Sequence, residues 1–363
     1  ISLADLLTAS SQIFIKSYSA GGTATSSIRG AGASHTQVTW NGINISNPML
    51  GQADFSLINS GMIDNVQVSH GGASLDIGSG GIGGIINLEN KPSWINRTHF
   101  SANPGIGSFG KYYLTAGLKT GNERFQSVTR ADFRHSENNF RYLNTETGSE
   151  PVLETRKNSQ VTARDFFQEF YFKKARNTCS ARMWYQAADR NLPGSILVQS
   201  GAEGEKQYDE SLRSMLSINS ERGKTDYFIT AAWIHNRLDY HNPLASVQSQ
   251  NQSNSFVIRG GAQTKILKGT IVRILLNEEL DVIRSNNYKS KTAGNIATVT
   301  MLGQQKAGNR FASALLISET LHNNKLLAPD FSAGMEFRIF PSEDHFIRTG
   351  IARTSRVPSM NDR

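Results

Sequence analysis

Ser27-Ile28-Arg29-Gly30, Trp40-Asn41-Gly42-Ile43-Asn44, Gly71-Gly72-Ala73-Ser74 and Gly78-Ser79-Gly80-Gly81-Ile82-Gly83-Gly84-Ile85-Ile86-Asn87-Leu88 follow one another between Ser27 and Lys91. Short apolar runs alternate there with glycine-rich turns. Asn41-Gly42 favours positive φ at both central turn positions, so it predicts a tight hairpin after Val38-Thr39-Trp40. Ile63 to Val68 and Ile85 to Leu88 read as further short strands, and Lys91-Pro92 ends the run. Gly78-x-Gly80-x-x-Gly83 satisfies the dinucleotide-binding expression, but that chemistry needs a strand before the glycines and a helix after them. Here a strand-like segment follows, so the glycines serve tight turns and close backbone packing instead. An oxidoreductase reading survives only if residues 85–95 form a helix.

Upstream, Ser2-Leu3-Ala4-Asp5-Leu6-Leu7 carries a capping serine with an acid three residues on, which predicts a short helix. Ile13 to Lys16 follows as a strand. Ser19 to Thr25 is a small-residue loop, and Asn47-Pro48-Met49-Leu50-Gly51-Gln52 is a loop with an apolar tip. Beyond Trp94 the pattern changes to period two. Tyr112, Leu114, Ala116 and Leu118 alternate with polar neighbours. Ala181, Met183, Tyr185 and Ala187 alternate with Arg182, Trp184 and Gln186, and Phe331 to Ile339 repeats the pattern. Units of roughly ten residues with alternating polarity are the signature of membrane β-barrel strands. Gly121-Asn122 and Lys268-Gly269 read as tight turns. Asn138 to Val161, Asn191 to Asp209, His241 to Ser253 and Ser285 to Ala293 read as long loops on the opposite rim.

The bulk numbers agree. The chain has 363 residues, 38% of them hydrophobic, and its mean hydropathy is -0.39. No stretch reaches the roughly 18 consecutive apolar residues of a spanning helix. Barrel strands are apolar on one face only, so a membrane barrel stays open. The 32 glycines against 9 prolines suit hairpins. Cys179 is the single cysteine, so no internal disulfide forms, and no base is evident beside it in sequence. The net charge of +8 comes from scattered basic residues, not a stripe, so no nucleic-acid partner is implied. No metal-ligand cluster and no nucleophile–base pair stands out, and no catalytic residue or cofactor is assigned. His135, His235 and His322 read as structural or rim residues, and the acids Glu203, Glu205, Asp209 and Glu210 as a solvated loop rather than a calcium site. Tyr112, Tyr113, Trp184, Tyr185, Trp233 and Tyr240 divide between interfacial girdle and barrel wall in a way that sequence does not resolve.

Taken together, Ser26 to Lys91 resembles the plug domain of TonB-dependent outer-membrane transporters. Four segments match in order: Ile28 to His35, Val38 to Gly42, Gly51 to Ile58, and Gly78 to Leu88. The Ala33-Ser34-His35 turn resembles the cobalamin-receptor branch. The resemblance implies a mainly β fold. A small mixed α/β plug at residues 1–93 is followed at 94–363 by antiparallel transmembrane strands of an incomplete barrel. Residues 95–363 read as about a dozen strands, against roughly 22 in such barrels. The rest of the barrel is therefore expected after Arg363, and the box that contacts TonB before Ile1. The resemblance further implies uptake of a scarce ligand across the outer membrane of a Gram-negative bacterium, driven through TonB. Cobalamin or a related corrinoid is the first ligand expected. A siderophore, or a passive binding or adhesion role, is the alternative. Outer-membrane lipid surrounds the barrel, and some members also use a surface lipoprotein. Ligand contact is expected at two plug apices, Gly21, Gly22, Thr23, Ala24 and Thr25, and Asn47, Pro48, Met49, Leu50, Gly51 and Gln52. Arg29 is expected to lock plug to barrel. Many plugs carry a second arginine where this chain has Ser69-His70-Gly71-Gly72, so the second lock is altered.

Overall fold

The computed structural model describes residues 2–362 apart from 18–20, 29, 71–80, 95, 147–149, 195–203, 289 and 341–344. The expected locking residue Arg29 and the glycine turns at 71–74 and 78–80 lie outside the described residues.

The chain opens with α1 (Leu3–Ser10). Ser2 accepts from the Asp5 backbone N–H while Asp5 accepts from the Ser2 N–H, closing the capping box read from sequence. Such a cap is worth about 1 kcal/mol to a helix this short. Leu3 and Leu7 point into the core. An antiparallel pair, β1 (Phe14–Ser17) and β2 (Ala24–Ser27), comes next. The central sheet of the plug has the order β4-β3-β6-β5, from β3 (Thr36–Trp40), β4 (Ile43–Asn44), β5 (Asn65–His70) and β6 (Gly84–Glu89). β3 and β6 run parallel, and the outer pairs antiparallel. The Asn41-Gly42 turn is formed, with φ of 47° and 82°. Residues 84–89 are strand and not helix, which removes the structural basis for a dinucleotide site.

The wall is one antiparallel sheet. Its path begins with β7 (His99–Gly107), β8 (Lys111–Gly121) and β9 (Phe125–Ser136). A separate hairpin, β10 (Arg141–Asn144) and β11 (Val152–Thr155), stands between β9 and β12 (Val161–Lys174). The path continues through β13 (Asn177–Leu192), β14 (Glu205–Arg222), β15 (Thr225–Asn242), β16 (Val247–Leu267), β17 (Thr270–Ser285), β18 (Thr292–Ala307) and β19 (Phe311–His322). The short β20 (Lys325–Leu326) pairs only with β19, and β21 (Asp330–Arg338) and β22 (Phe346–Arg353) complete the sheet. Among the described residues β7 and β22 are its two edges.

The period-two reading holds along the wall. Leu216, Ile218, Ile229, Phe256, Ile258, Leu276 and Ile317 are exposed on the outer face, while Met215, Ser217, Thr230, Val257 and Leu275 are buried on the inner one. An apolar outer band over a polar lumen is what hydrocarbon outside and a plug inside require. The turns at 175–176, 223–224 and 268–269 are tight. The expected long loop from His241 to Ser253 is a correction: β15 and β16 continue through it and leave only residues 243–246 as the turn. Polar runs stay paired as strand wherever both faces are wet, so polarity alone does not mark a loop.

Candidate functional site

Plug and wall meet through an aromatic layer. Trp40, Phe167 and Trp184 are buried and meet edge to face, with ring centroids 5.7 to 6.0 Å apart. Trp184 therefore belongs to the plug–wall seam and not to a girdle. Tyr112 and Trp233 do face outward, and Tyr240 faces the lumen, donating to the Glu205 carboxylate at 2.9 Å.

Above the aromatic layer the wall reaches the plug with arginine and glutamine. Arg190 on β13 is buried, donating from Nη1 to Asp54 of the plug at 2.7 Å and from Nη2 and Nε to Asp209 of β14 at 2.6 and 2.9 Å. Asp54 is itself fixed, because its Oδ1 accepts from the Ala24 and Ser56 backbone N–H groups at 2.9 and 3.0 Å. The Leu57 carbonyl accepts from Gln186 at 2.7 Å and Arg134 at 3.0 Å. Arg134 also pairs with Asp132 and Asp165. Toward the other rim, Arg130 pairs with Asp64 and donates to the Met62 carbonyl. Arg259 donates to the Gly42 carbonyl. In each of these ties the wall supplies the donor and the plug the acceptor, a carboxylate at Asp54 and Asp64 and a backbone carbonyl at Gly42, Leu57 and Met62. Asp209, expected in a solvated loop, lies half-buried on β14 and is the wall partner of Arg190.

The two predicted apices divide. Thr23, Asn47, Met49, Leu50 and Gln52 line a cavity of about 430 Å³ between plug and wall. Pro48 and Gly51 line a smaller neighbouring cavity of about 110 Å³, with Asn47 shared. The 47–52 loop closes on itself through Asn47 N–H to Gln52 O at 3.0 Å and Gly51 N–H to Asn47 O at 2.7 Å. Its tip is half covered. Leu50 is exposed, but Met49 is buried against Ile283 and Met360. The Met360 and Asn361 backbone N–H groups donate to the Pro48 and Met49 carbonyls, both at 3.2 Å. The loop expected from Ser19 to Thr25 is corrected at its end: Ala24 and Thr25 lie buried in β2, where Ala24 bonds Asp54 and Phe55, and neither lines the cavity. Gly22 is buried as well. Gly21, at φ 76°, packs so closely on the wall that a Cβ there would lie 2.3 Å from Val161. The first apex thus contributes Thr23 alone to the cavity.

The wall side of the large cavity comes from inward-facing positions of neighbouring strands, among them Gln186, Arg190, Ser211, Arg213, Asn236 and Asn251. Sequence reasoning missed all of these. Their shared strand parity with Trp184 was the available signal, since residues two apart on a strand share a face. Ser211 donates to Asn236 at 2.8 Å. A volume within the range of small-molecule sites, with polar groups converging from two domains, suits a solute rather than a protein partner. Among the described residues, no group of three His, Cys, Asp or Glu side chains is placed to hold a metal ion. No helix among them is long and apolar enough to cross a membrane.

Residues 1–85 match the family described as the TonB-dependent Receptor Plug Domain. No curated protein sequence matches the chain. Its fold is similar to that of solved structures. The siderophore receptor PirA from Acinetobacter baumannii aligns with a TM-score of 0.79 at 14% identity, over 99% of this chain and 59% of that one. The FrpB iron transporter from Neisseria meningitidis aligns at 0.81 and 12% identity, over 99% and 63%. The copper transporter OprC aligns at 0.78 and 13% identity, over 99% and 62%. The chain thus spans about three fifths of the length of these structures. A plug domain within an antiparallel wall that carries an outer apolar band is outer-membrane β-barrel architecture, and the chain crosses that membrane by strands.

Proposed function

We propose that the protein takes up a scarce ligand across the outer membrane, drawing energy through TonB, by rearrangement of the plug within the barrel. The observation that carries this reading is the cavity of about 430 Å³ whose two sides belong to different domains, the plug loop 47–52 and the wall strands β13 to β16. A ligand seated there touches the element that must move and the element that stays. The seam suits reversible release, because its polar ties are a handful of arginine and glutamine bonds to carboxylates and backbone carbonyls. No disulfide ties plug to wall, since Cys179 is the single cysteine of the chain.

For the ligand, a ferric chelate or metal complex is the reading we place first, since similar folds include a siderophore receptor, an iron transporter and a copper transporter. A corrinoid is the second, resting on the Ala33-Ser34-His35 turn. Ser34 of that turn lines the smaller cavity. TonB engages the chain from its amino-terminal side in this reading, and a surface lipoprotein is a further partner to test.

The test has two parts. Cyanocobalamin and a panel of ferric siderophores are titrated calorimetrically into purified protein in detergent. The bound ligand is then followed into cells with and without a working TonB. Tight one-to-one binding of one ligand, with uptake lost when TonB is removed, is the expected result. Uptake that persists without TonB refutes the energised mechanism and favours a passive binding barrel.

A further inference from the structure

Arg213 stands apart from the other lumenal arginines of the wall. Arg130, Arg134, Arg182 and Arg190 each have a carboxylate oxygen within 3.3 Å. Arg213, on β14 and 6% exposed, has no carboxylate within ion-pair distance among the described residues. Its guanidinium carbon sits 4.5 Å from the Trp184 ring centroid, and its Nη2 makes one long bond to Gln186 Oε1 at 3.4 Å. Its Nε and Nη1 are buried with no hydrogen-bond partner. Asp165 belongs to the same network, but its oxygens accept from Arg134, Trp184 and Gln186.

A guanidinium stays charged at any physiological pH and presents its N–H groups in a planar fork. Burying it without a hydrogen-bonded counter-charge costs several kcal/mol, a cost that an arriving anion would offset. The stack on Trp184 holds the plane of the fork, and Arg213 lines the large cavity. Gln186, Ser211 and Asn236 in the same lining are neutral, and its three carboxylates are already engaged, Asp54 and Asp209 with Arg190 and Glu210 with the Tyr208 hydroxyl. The other two arginines of the lining are already committed, Arg190 to Asp54 and Asp209 and Arg237 to Asp239.

We propose that the cavity is an anion site with Arg213 as its anchor, and that its ligand presents a carboxylate or phosphate oxygen to the unsatisfied edge of the guanidinium. That this ligand is also the cargo rests on the uptake reading above. The anion site itself does not.

The experiment titrates purified protein in non-ionic detergent with inorganic phosphate and, separately, with citrate. Ionic strength is held constant with chloride, and tryptophan fluorescence is followed through the Trp184–Arg213 stack. Saturable change with phosphate alone assigns a phosphate-type ligand, with citrate alone a carboxylate-type ligand, and with both the shared oxyanion. Arg213→Gln is expected to weaken the response roughly tenfold or more, the loss of one charge-assisted bidentate contact. Arg213→Lys, which keeps the charge and lacks the fork, falls between. It also serves as the reading if the glutamine variant does not fold. Arg348→Gln, at an exposed pair with Glu336 far from the cavity, is expected to titrate like the wild type. No saturation beyond the chloride control, or equal titration curves for the wild type and the Arg213 variants, overturns the proposal. The measurement uses no TonB, so its failure leaves the uptake assay standing, and failure of that assay leaves the anion site standing.

Discussion

Replacing Trp40 with alanine tests whether the aromatic seam holds the plug. The side chain is 1% exposed on β3 and contacts Phe167 and Trp184 of the wall, with centroids at 5.8 and 5.7 Å. Its indole N–H donates to Asn90 Oδ1 at 3.0 Å, and Asn90 is itself 1% exposed. A buried aromatic of about 150–250 Å² at about 25 cal/mol per Å² gives an upper estimate of about 4–6 kcal/mol. Measured core truncations of this kind cost about 3–5 kcal/mol. Taking about 4 kcal/mol, local protection falls roughly a thousandfold, at about 1.4 kcal/mol per decade. The assay is hydrogen exchange on peptides covering Thr36–Trp40 and Gly84–Glu89, compared with peptides from the middle of β15 and β16. The plug peptides are expected to lose about three decades of protection while the wall peptides keep theirs. Trp40→Phe keeps both ring contacts and loses the N–H bond, so it is expected to lose about one decade. A loss below tenfold for the alanine variant, or an equal loss across the wall, refutes the seam as the seat of plug stability.

Arg190→Ala leaves the half-buried Asp54 and Asp209 carboxylates without their shared cation, a defect of at most about 3–5 kcal/mol. Asp54→Asn costs less, because Arg190 keeps its two bonds to Asp209. Urea midpoints for plug release should fall in that order, and the reverse order would contradict the lock as described. Gly42→Ala places a Cβ 2.2 Å from Arg259 Nη1 at a φ of 82°. It should destabilise the β3–β4 turn by about 1–2 kcal/mol from the backbone alone. Thermal unfolding that matches the wild type would show that the turn relaxes freely.

The elements that sequence made legible are those written in local chemistry. The Ser2–Asp5 capping box, the Asn41-Gly42 turn and the alternation of β12 to β19 each depend on residues a few positions apart. The cavity loop 47–52 was legible for a related reason: a Pro and Gly flanking an apolar tip between two short strands marks an apex. The lock was not. Asp54 and Arg190 are 136 residues apart, and nothing near either one announces the other. Parity had already put Arg182, Trp184 and Gln186 on one face of a strand. It does not say whether that face sees lipid or lumen, because a tryptophan suits both. Packing against the plug decided it. Ala24 and Thr25 were misplaced for the converse reason, since small residues after glycines look like a loop until β1 pairs with them.

The position of α1 has a mechanical consequence. Leu3 N–H donates to the Ile58 carbonyl at 2.7 Å, Ala4 N–H to the Phe55 carbonyl at 3.3 Å, and Ser2 bridges to Asn59. The strip that α1 grips, residues 55–59, begins beside Asp54 and includes the Leu57 carbonyl that Arg134 and Gln186 hold. Tension applied at the amino-terminal end therefore has a short load path. It runs through one capped helix into the strip that forms one side of the cavity, and it meets the arginine ties before it meets the central sheet. A tug there works on the bonds nearest the cavity first and leaves the hydrogen-bonded ladder of β3, β5 and β6 out of the line of force.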